Sequence, residues 1–366
     1  MIRIANSFSN IIKAISIDGF LCCLVFYDFN MIREYLKLAR SFNAVLTGIS
    51  PVMGAIAMQQ YDIITLILLF LIGFLGHTFG FVFNDIIDYN IDKSSKEISD
   101  RPLISGTISL RNAWIFAFGS MAAAFLISLY LAVTTQHFFP LLILAISASF
   151  VILYDLVSKK FPLTDFFVAV GVFFLIVYGA SNTTGSLTSL TTLTWIVCIL
   201  GAIQVFIMQI IAGGMKDIEN DFYRGARTLA VQMGVRVNEG KLYVPSSFKA
   251  IAYGIQLVDL IIVFLPFFIV WNIRTLSLFQ YIQWASLIFV GILMLFLSHK
   301  LLTMERFERT RARKFIGSHY MINFTIVPIM LMSLNPWAGL LMFFPGLGFI
   351  FSNLILHGTI LQPKTM

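Results

Sequence analysis

Charge is what this sequence has least of. Of its 366 residues only 12% are charged and 58% are hydrophobic, where soluble domains carry ~25% and ~45–50%. That balance excludes an ordinary soluble fold. Cysteine is scarce as well. Cys22, Cys23 and Cys198 are the three in the chain, and no CxxC or Cys/His spacing connects them. They give no basis for a disulfide framework or a thiolate metal site, and read as small apolar packing residues. The formal charge of +7 does not make a nucleic-acid face, because the basic residues punctuate apolar runs instead of clustering on one surface. No nucleic-acid partner is expected.

What the chain does have is hydrophobic runs of about 18–24 residues, each able to cross a ~30 Å hydrocarbon core at 1.5 Å per residue. Runs near 41–60, 62–83, 112–133, 137–155, 163–182, 192–213, 249–272, 279–298, 316–334 and 337–357 predict ten spans. An all-α integral membrane protein follows. The run Gly19 to Tyr27 is too short to span, is flanked by Arg3, Lys13 and Arg33, and lacks a small-residue cleavage pattern. It reads as an amphipathic, interface-lying helix and not as a signal peptide.

Lys and Arg resist translocation and so report orientation. With the N-terminus inside, segments 1–40, 84–111, 156–162, 214–249, 299–315 and the C-terminal tail fall on one side and hold 24 of the 25 Lys and Arg; Arg274 is the exception. A multi-pass cell-membrane protein with its basic loops in the cytoplasm is expected. The two longest inside loops, 84–111 and 214–248, are where function is to be sought.

Both of those loops open with acids at helical spacing. Asn84, Asp88 and Asp92 stand at i, i+4, i+8, with Asp85 beside them and Arg101 beyond. Asp217 and Asp221 repeat the i, i+4 spacing, followed by Arg224 and Arg227. On helices emerging from the membrane each set lines one face. Neighbouring carboxylates repel unless cations bind, and hard oxygen ligands beside a phosphate-bearing substrate suit Mg²⁺. Guanidinium groups a turn away suit phosphate oxygens. A solvated rim of helix ends would explain either set alone. Two sets at equivalent places on one membrane face point to a diphosphate site.

Asn84-Asp85-x-x-Asp88-x-x-x-Asp92, followed by Arg101-Pro102-Leu103, resembles the first motif of the UbiA superfamily of intramembrane prenyltransferases, and Lys216 to Ala230 resembles its second Asp-rich motif. Tyr154 to Leu163, with Lys159, is similar to the family's Tyr-and-Lys loop, and Arg306 to Lys314 to the entry of its ninth helix. The resemblance covers roughly 33–334. It implies a nine-helix bundle over 33–334, preceded by the interfacial extension 1–32 and followed by one additional span and tail, 335–366.

The resemblance further implies that Asn84, Asp88, Asp92, Asp217 and Asp221 hold two Mg²⁺ ions bridging the diphosphate of an isoprenyl donor. Arg101, Lys159, Arg224 and Arg227 would contact phosphate, and Tyr154 would face the allylic cation. Asp155 departs from the family, which usually has a small or uncharged residue there. The acceptor is read two ways. Arg227-Thr228-Leu229-Ala230 is similar to members that prenylate an aromatic quinone precursor, which is slightly favoured. Arg40-Ser41-Phe42-Asn43 is similar to archaeal members that prenylate geranylgeranylglyceryl phosphate, with Arg40 and Asn43 beside the acceptor. A polytopic transporter is the reading from another class, expected to show ionisable residues at midplane within broken helices; a non-catalytic lipid-binding relative is a further one.

Overall fold

The computed structural model describes residues 30–93, 98–158, 161, 163–223, 225 and 227–360. The expected interfacial helix before residue 30, and the candidate residues Lys159 and Arg224, lie outside the described residues.

The described chain is almost entirely helical. It runs through α1 (30–38), α2 (Ser41–Ala57), α3 (Ile63–Ile87), α4 (Leu110–Thr135), α5 (Phe139–Val157), α6 (Asp165–Thr184), α7 (Thr192–Ile207), α8 (Ser246–Ile269), α9 (Leu278–Leu302), α10 (Arg309–Asn323), α11 (Ile326–Leu331) and α12 (Phe343–His357). Local chemistry sets several of the starts. Asp62 accepts from the Thr65 amide at the head of α3, Ser109 accepts from the Asn112 amide at the head of α4, and Ser277 with Gln280 forms a capping box on α9.

Eight of the described helices, counting the continuation of α7 to Lys216 and the turn that precedes α12, are long and apolar enough to cross a bilayer. Two of the ten expected spans fall outside that set of eight, for definite reasons. The first span, α2, has 17 residues and stops at Ala57, short of the expected residue 60. The expected span 316–334 is not one helix: α10 ends at Asn323, and α11 restarts at Ile326. Pro328 has no amide hydrogen to give the Phe324 carbonyl and its ring crowds that carbonyl, so the helix breaks there.

The core lies where α2, α3, α6 and α7 meet, and glycine makes the crossings close. A Cβ on Gly179 or Gly54 would strike backbone of the opposite helix, at Pro51 and Ile176 respectively, so both positions require glycine. Outward faces remain apolar: Ile115 and Leu126 on α4 and Phe289 on α9 are more than 60% exposed, as a lipid-facing surface demands. The first and last described helices meet. Arg33 donates to the Leu356 carbonyl at 2.8 and 3.1 Å at the end of α12, and Phe42 packs edge-on against Phe349.

Two departures from regular helix position the second acidic segment. Beyond Ile207 the chain widens into a π-helix over Met208–Gly213 before resuming at Gly214–Lys216. Past it lies an antiparallel hairpin, β1 (Arg236–Asn238) and β2 (Lys241–Tyr243), in which Val237 faces Leu242. Its tip, Glu239-Gly240, has φ of 49° and 74° at the two residues, the signature of a tight two-residue hairpin loop. This short sheet was not foreseen in an all-α reading. It also receives the 305–307 segment: Leu242 donates to the Glu305 carbonyl at 3.1 Å and Phe307 to the Gly240 carbonyl at 2.9 Å.

Candidate active site

The site is assembled at one end of the bundle around a cavity of about 710 Å³. Its first wall is the end of α3. The helix proper stops at Ile87, but a helical turn at Tyr89–Asp92 continues its register, since Asp88 N bonds Asn84 O and Asp92 N bonds Asp88 O, both at 2.9 Å. Asn84, Asp88 and Asp92 therefore all line the cavity, as the i, i+4, i+8 spacing requires. Asp85 turns the other way and is buried, 5% exposed. It accepts from Arg40 at 2.6 Å and lies 3.5 Å from Arg101, whose guanidinium also donates to Asp92 at 2.9 Å.

Arg40 occupies the left-handed region, φ 48°, at the joint between α1 and α2. That unfavourable conformation is held because the guanidinium is fixed twice, by Asp85 and by lying 4.8 Å over the Phe81 ring.

The second wall follows the π-helix. Asp221 N bonds Asp217 O at 2.9 Å, so these acids also share a face, and both line the cavity. Lys216 lies 3.1 Å from Asp217, and Arg309 reaches Asp217 from the start of α10. Burial pushes the Asp217 carboxyl up, but the Lys216 ammonium and Arg309 guanidinium outweigh it and hold it at about 2. It is an ionised carboxylate across the physiological range.

A third wall comes from α5 and α6, bringing Tyr154, Asp155 and Asp165 to the same cavity. Asn84 donates its amide to Asp155 at 3.1 Å. Deeper in, the lining turns apolar through Phe125, Leu144, Val172 and Leu175. Buried polar atoms without a protein partner among the described residues gather here: Asn43 Oδ1, His77 Nε2, Arg101 Nε, Asp155 Oδ2 and Thr228 Oγ1 all belong to lining residues. Such groups are costly unless a ligand or water satisfies them.

Of the residues singled out from sequence, Arg40, Asn43, Asn84, Asp88, Asp92, Arg101, Tyr154, Asp217, Asp221 and Arg227 line this one cavity. Lining residues that the sequence reading did not select include Lys216, Arg309, His77 and Asp165. Arg309 stands in the Arg306 to Lys314 stretch whose basic character was the available signal. His77, hydrogen-bonded to Thr47 at 2.8 Å, gave none. The acids are also not confined to the cavity's end of the bundle: Asp259, fully buried within α8, faces Gln204.

The donor set can be tested for a divalent cation. Among the described residues no three acidic, His or Cys side chains close into one metal cluster. The acids are instead distributed over separate walls of one cavity. That is the pattern for Mg²⁺, which is held by one or two carboxylates together with substrate phosphates and water, and not by an all-protein cage. The residues fit.

A bundle of membrane-crossing helices enclosing an apolar pocket, with acids and cations gathered at one end, defines an intramembrane enzyme for an amphiphile with a polyanionic head. The chain belongs to the UbiA prenyltransferase family, whose model matches residues 45–324. It is 29% identical over 248 residues to the digeranylgeranylglyceryl phosphate synthase of Pyrococcus furiosus, covering 63% of this chain and 85% of that one. The Thermococcus kodakarensis protein of the same name is also 29% identical, over 65% and 87% of the two chains. Among solved structures, a UbiA homologue from Aeropyrum pernix K1 superposes with a TM-score of 0.62 at 15% identity, over 80% of this chain and 96% of that one. A homologue from Archaeoglobus fulgidus bound to GPP and Mg²⁺ gives 0.58 at 14% identity, over 86% and 99%.

Proposed function

We propose that this prenyltransferase moves an isoprenyl group from an isoprenyl diphosphate to the free hydroxyl of a prenylated glycerophosphate lipid, with Mg²⁺ held between the donor and the acids of the first two walls. The observation that carries the reading is the single cavity that joins two acidic walls, their arginines and a long apolar interior. The acceptor is supported by the names of the relatives, which favour a glycerophosphate lipid over the aromatic acceptor suggested by Arg227 to Ala230.

Bound Mg²⁺ would neutralise the diphosphate as it leaves. Asn84, Asp88, Asp92, Asp217 and Asp221 are the residues to hold it. Arg101, Arg227 and Arg309 supply further positive charge where negative charge develops. The allylic carbon–oxygen bond breaks, an ether bond forms to the acceptor oxygen, and the hydroxyl proton and diphosphate depart. Tyr154 offers an electron-rich ring to the allylic carbon. The apolar lining keeps out water, which would otherwise capture the cation. Arg40 and Asn43, at the head of α2, are the acceptor-side groups.

The test is a product mass. Purified protein given geranylgeranyl diphosphate should alkylate geranylgeranylglyceryl phosphate and not an aromatic acid; the reverse preference would overturn the acceptor assignment. Arg40→Gln should raise KM for the acceptor about ten- to hundredfold, the worth of a charge-assisted hydrogen bond, and leave the donor KM nearly unchanged. Cytoplasmic placement of the site is part of this reading. In a background without native cysteines, a thiol at Asn238 should be labelled from the cytoplasm only and one at Ser186 from outside only.

A further inference from the structure

Asp155 belongs to neither acidic motif, yet it touches the first. Its carboxyl sits on α5, buried to 5% exposure, 71 residues along the chain from Asn84. Asn84 Nδ2 donates to Asp155 Oδ1 at 3.1 Å, and Asp155 Oδ2 has no partner among the described residues. We propose that Asp155 is a positioning residue that fixes the Asn84 amide so that its carbonyl oxygen is presented to the cation.

Hydrogen-bond inventory decides which way the Asn84 amide faces. An asparagine amide has two chemically opposite ends, a donating NH₂ and an accepting carbonyl, and half a turn about one bond exchanges them. Only the carbonyl can ligate a cation; the NH₂ end repels it. Asp155 Oδ1 accepts from the NH₂ end, and this holds the amide in the orientation in which NH₂ faces α5. The carbonyl is left to the cavity that Asn84 lines. Without the carboxyl oxygen, either end of the amide can face the cavity. Partners that orient ligands in this way typically change metal affinity 10- to 100-fold when removed. The geometry also ties the end of α3 to α5, whose Tyr154 lines the same cavity.

The inference rests on the Mg²⁺ reading of the site, and the experiment separates the two. Mn²⁺, detected by its paramagnetic resonance, is titrated into the full-length protein in lipid nanodiscs, with inorganic pyrophosphate present. Asp155→Leu keeps the size of the side chain and removes its acceptor; Asp155→Ala is the second variant should the first not fold. Asp155→Asn keeps an acceptor oxygen. The loss of the acceptor should weaken Mn²⁺ binding about tenfold or more, with Asp155→Asn, which keeps an acceptor oxygen but can also turn its NH₂ to Asn84, weakened less than Asp155→Leu. Asn84→Ala should weaken binding similarly, and the double variant Asn84→Ala/Asp155→Leu should be no weaker than Asn84→Ala alone, since Asp155 acts through that amide.

An unchanged affinity in Asp155→Leu and Asp155→Ala overturns the proposal. So does an additive loss in the double variant, or an Asp155→Asn as weak as Asp155→Leu, either of which would make Asp155 act directly on the cation or the acceptor. Wild-type protein that binds no Mn²⁺ with pyrophosphate overturns the metal site itself.

Discussion

The two acidic walls look alike in sequence and differ in build. The first grows from the end of a regular helix, and its charges are sequestered: in the Arg101 to Asp92 pair the side chains are 12% and 13% exposed. The second follows a π-helix and a glycine pair, and in the Arg309 to Asp217 pair the side chains are 25% and 28% exposed. Arg101 comes from the same loop as its acid, whereas Arg309 comes from 92 residues away. The first wall takes its register from one helix and its Arg101 from the loop that follows it. The second is completed by tertiary assembly, and its acid–base pair is wetter and more easily opened.

Alanine in place of Asp88 or Asp217 is the severest way to test this contrast. Either change should cut prenyl transfer on the order of a thousandfold, as loss of a preorganised electrostatic group does, while the protein still inserts and folds. Radiolabelled donor turnover, beside a melting curve, measures both. Near-normal turnover in either variant would remove that wall from the chemistry.

Arginine removal should separate the walls. Arg309→Gln should lower kcat/KM for the donor about tenfold or more, the scale of a charge-assisted contact, and should let the 214–248 segment exchange amide hydrogens faster. Arg101→Gln should cost a similar factor in activity but change exchange little, because the helical register holds Asp88 and Asp92 in place without it. Equal exchange in the two variants would erase the distinction drawn above.

A smaller effect is expected from the outermost acids. Asp92→Ala and Asp221→Ala should lose activity severalfold at ordinary Mg²⁺ and regain much of it when Mg²⁺ is raised, because the remaining ligands keep a weakened site. The rescue curve is the readout.

The smallest effect is that of pH. The Asp217 carboxyl is held at about 2 in the fold, below the ~3.9 of an unfolded chain. Its contribution to stability is thus fully present above about pH 4 and is lost as pH falls from there through 2. Melting temperature should consequently show no Asp217-linked step between pH 5 and 8. In Arg309→Gln the carboxyl moves up, so less of that contribution remains to be lost on acidification.

Much of this was legible in the sequence, and what was not has physical causes. Long apolar runs placed the helices: 112–133 became Leu110–Thr135 and 279–298 became Leu278–Leu302. Helical spacing brought the acids of each wall onto one face. The break before Ile326 was missed because Phe324 and Thr325 are ordinary residues, and the cause, Pro328, lies further on. The π-helix carried no periodic mark, since a nearly continuous apolar run hides one extra residue per turn. Arg309 was missed as a site residue because its partner is set by folding, not spacing. Asp259 was overlooked inside a span whose other residues are nearly all apolar.

The hairpin has a consequence for exchange of parts between relatives. Because β2 bonds to Glu305 and the tip carbonyl of Gly240 to Phe307, the segment that carries Asp217 and the one that delivers Arg309 are stitched by backbone, whatever their side chains. A chimaera that transplants 214–248 alone would bring a strand edge fitted to a neighbour it no longer has. The graft that keeps the second wall intact is a discontinuous one, carrying 303–309 along with the loop.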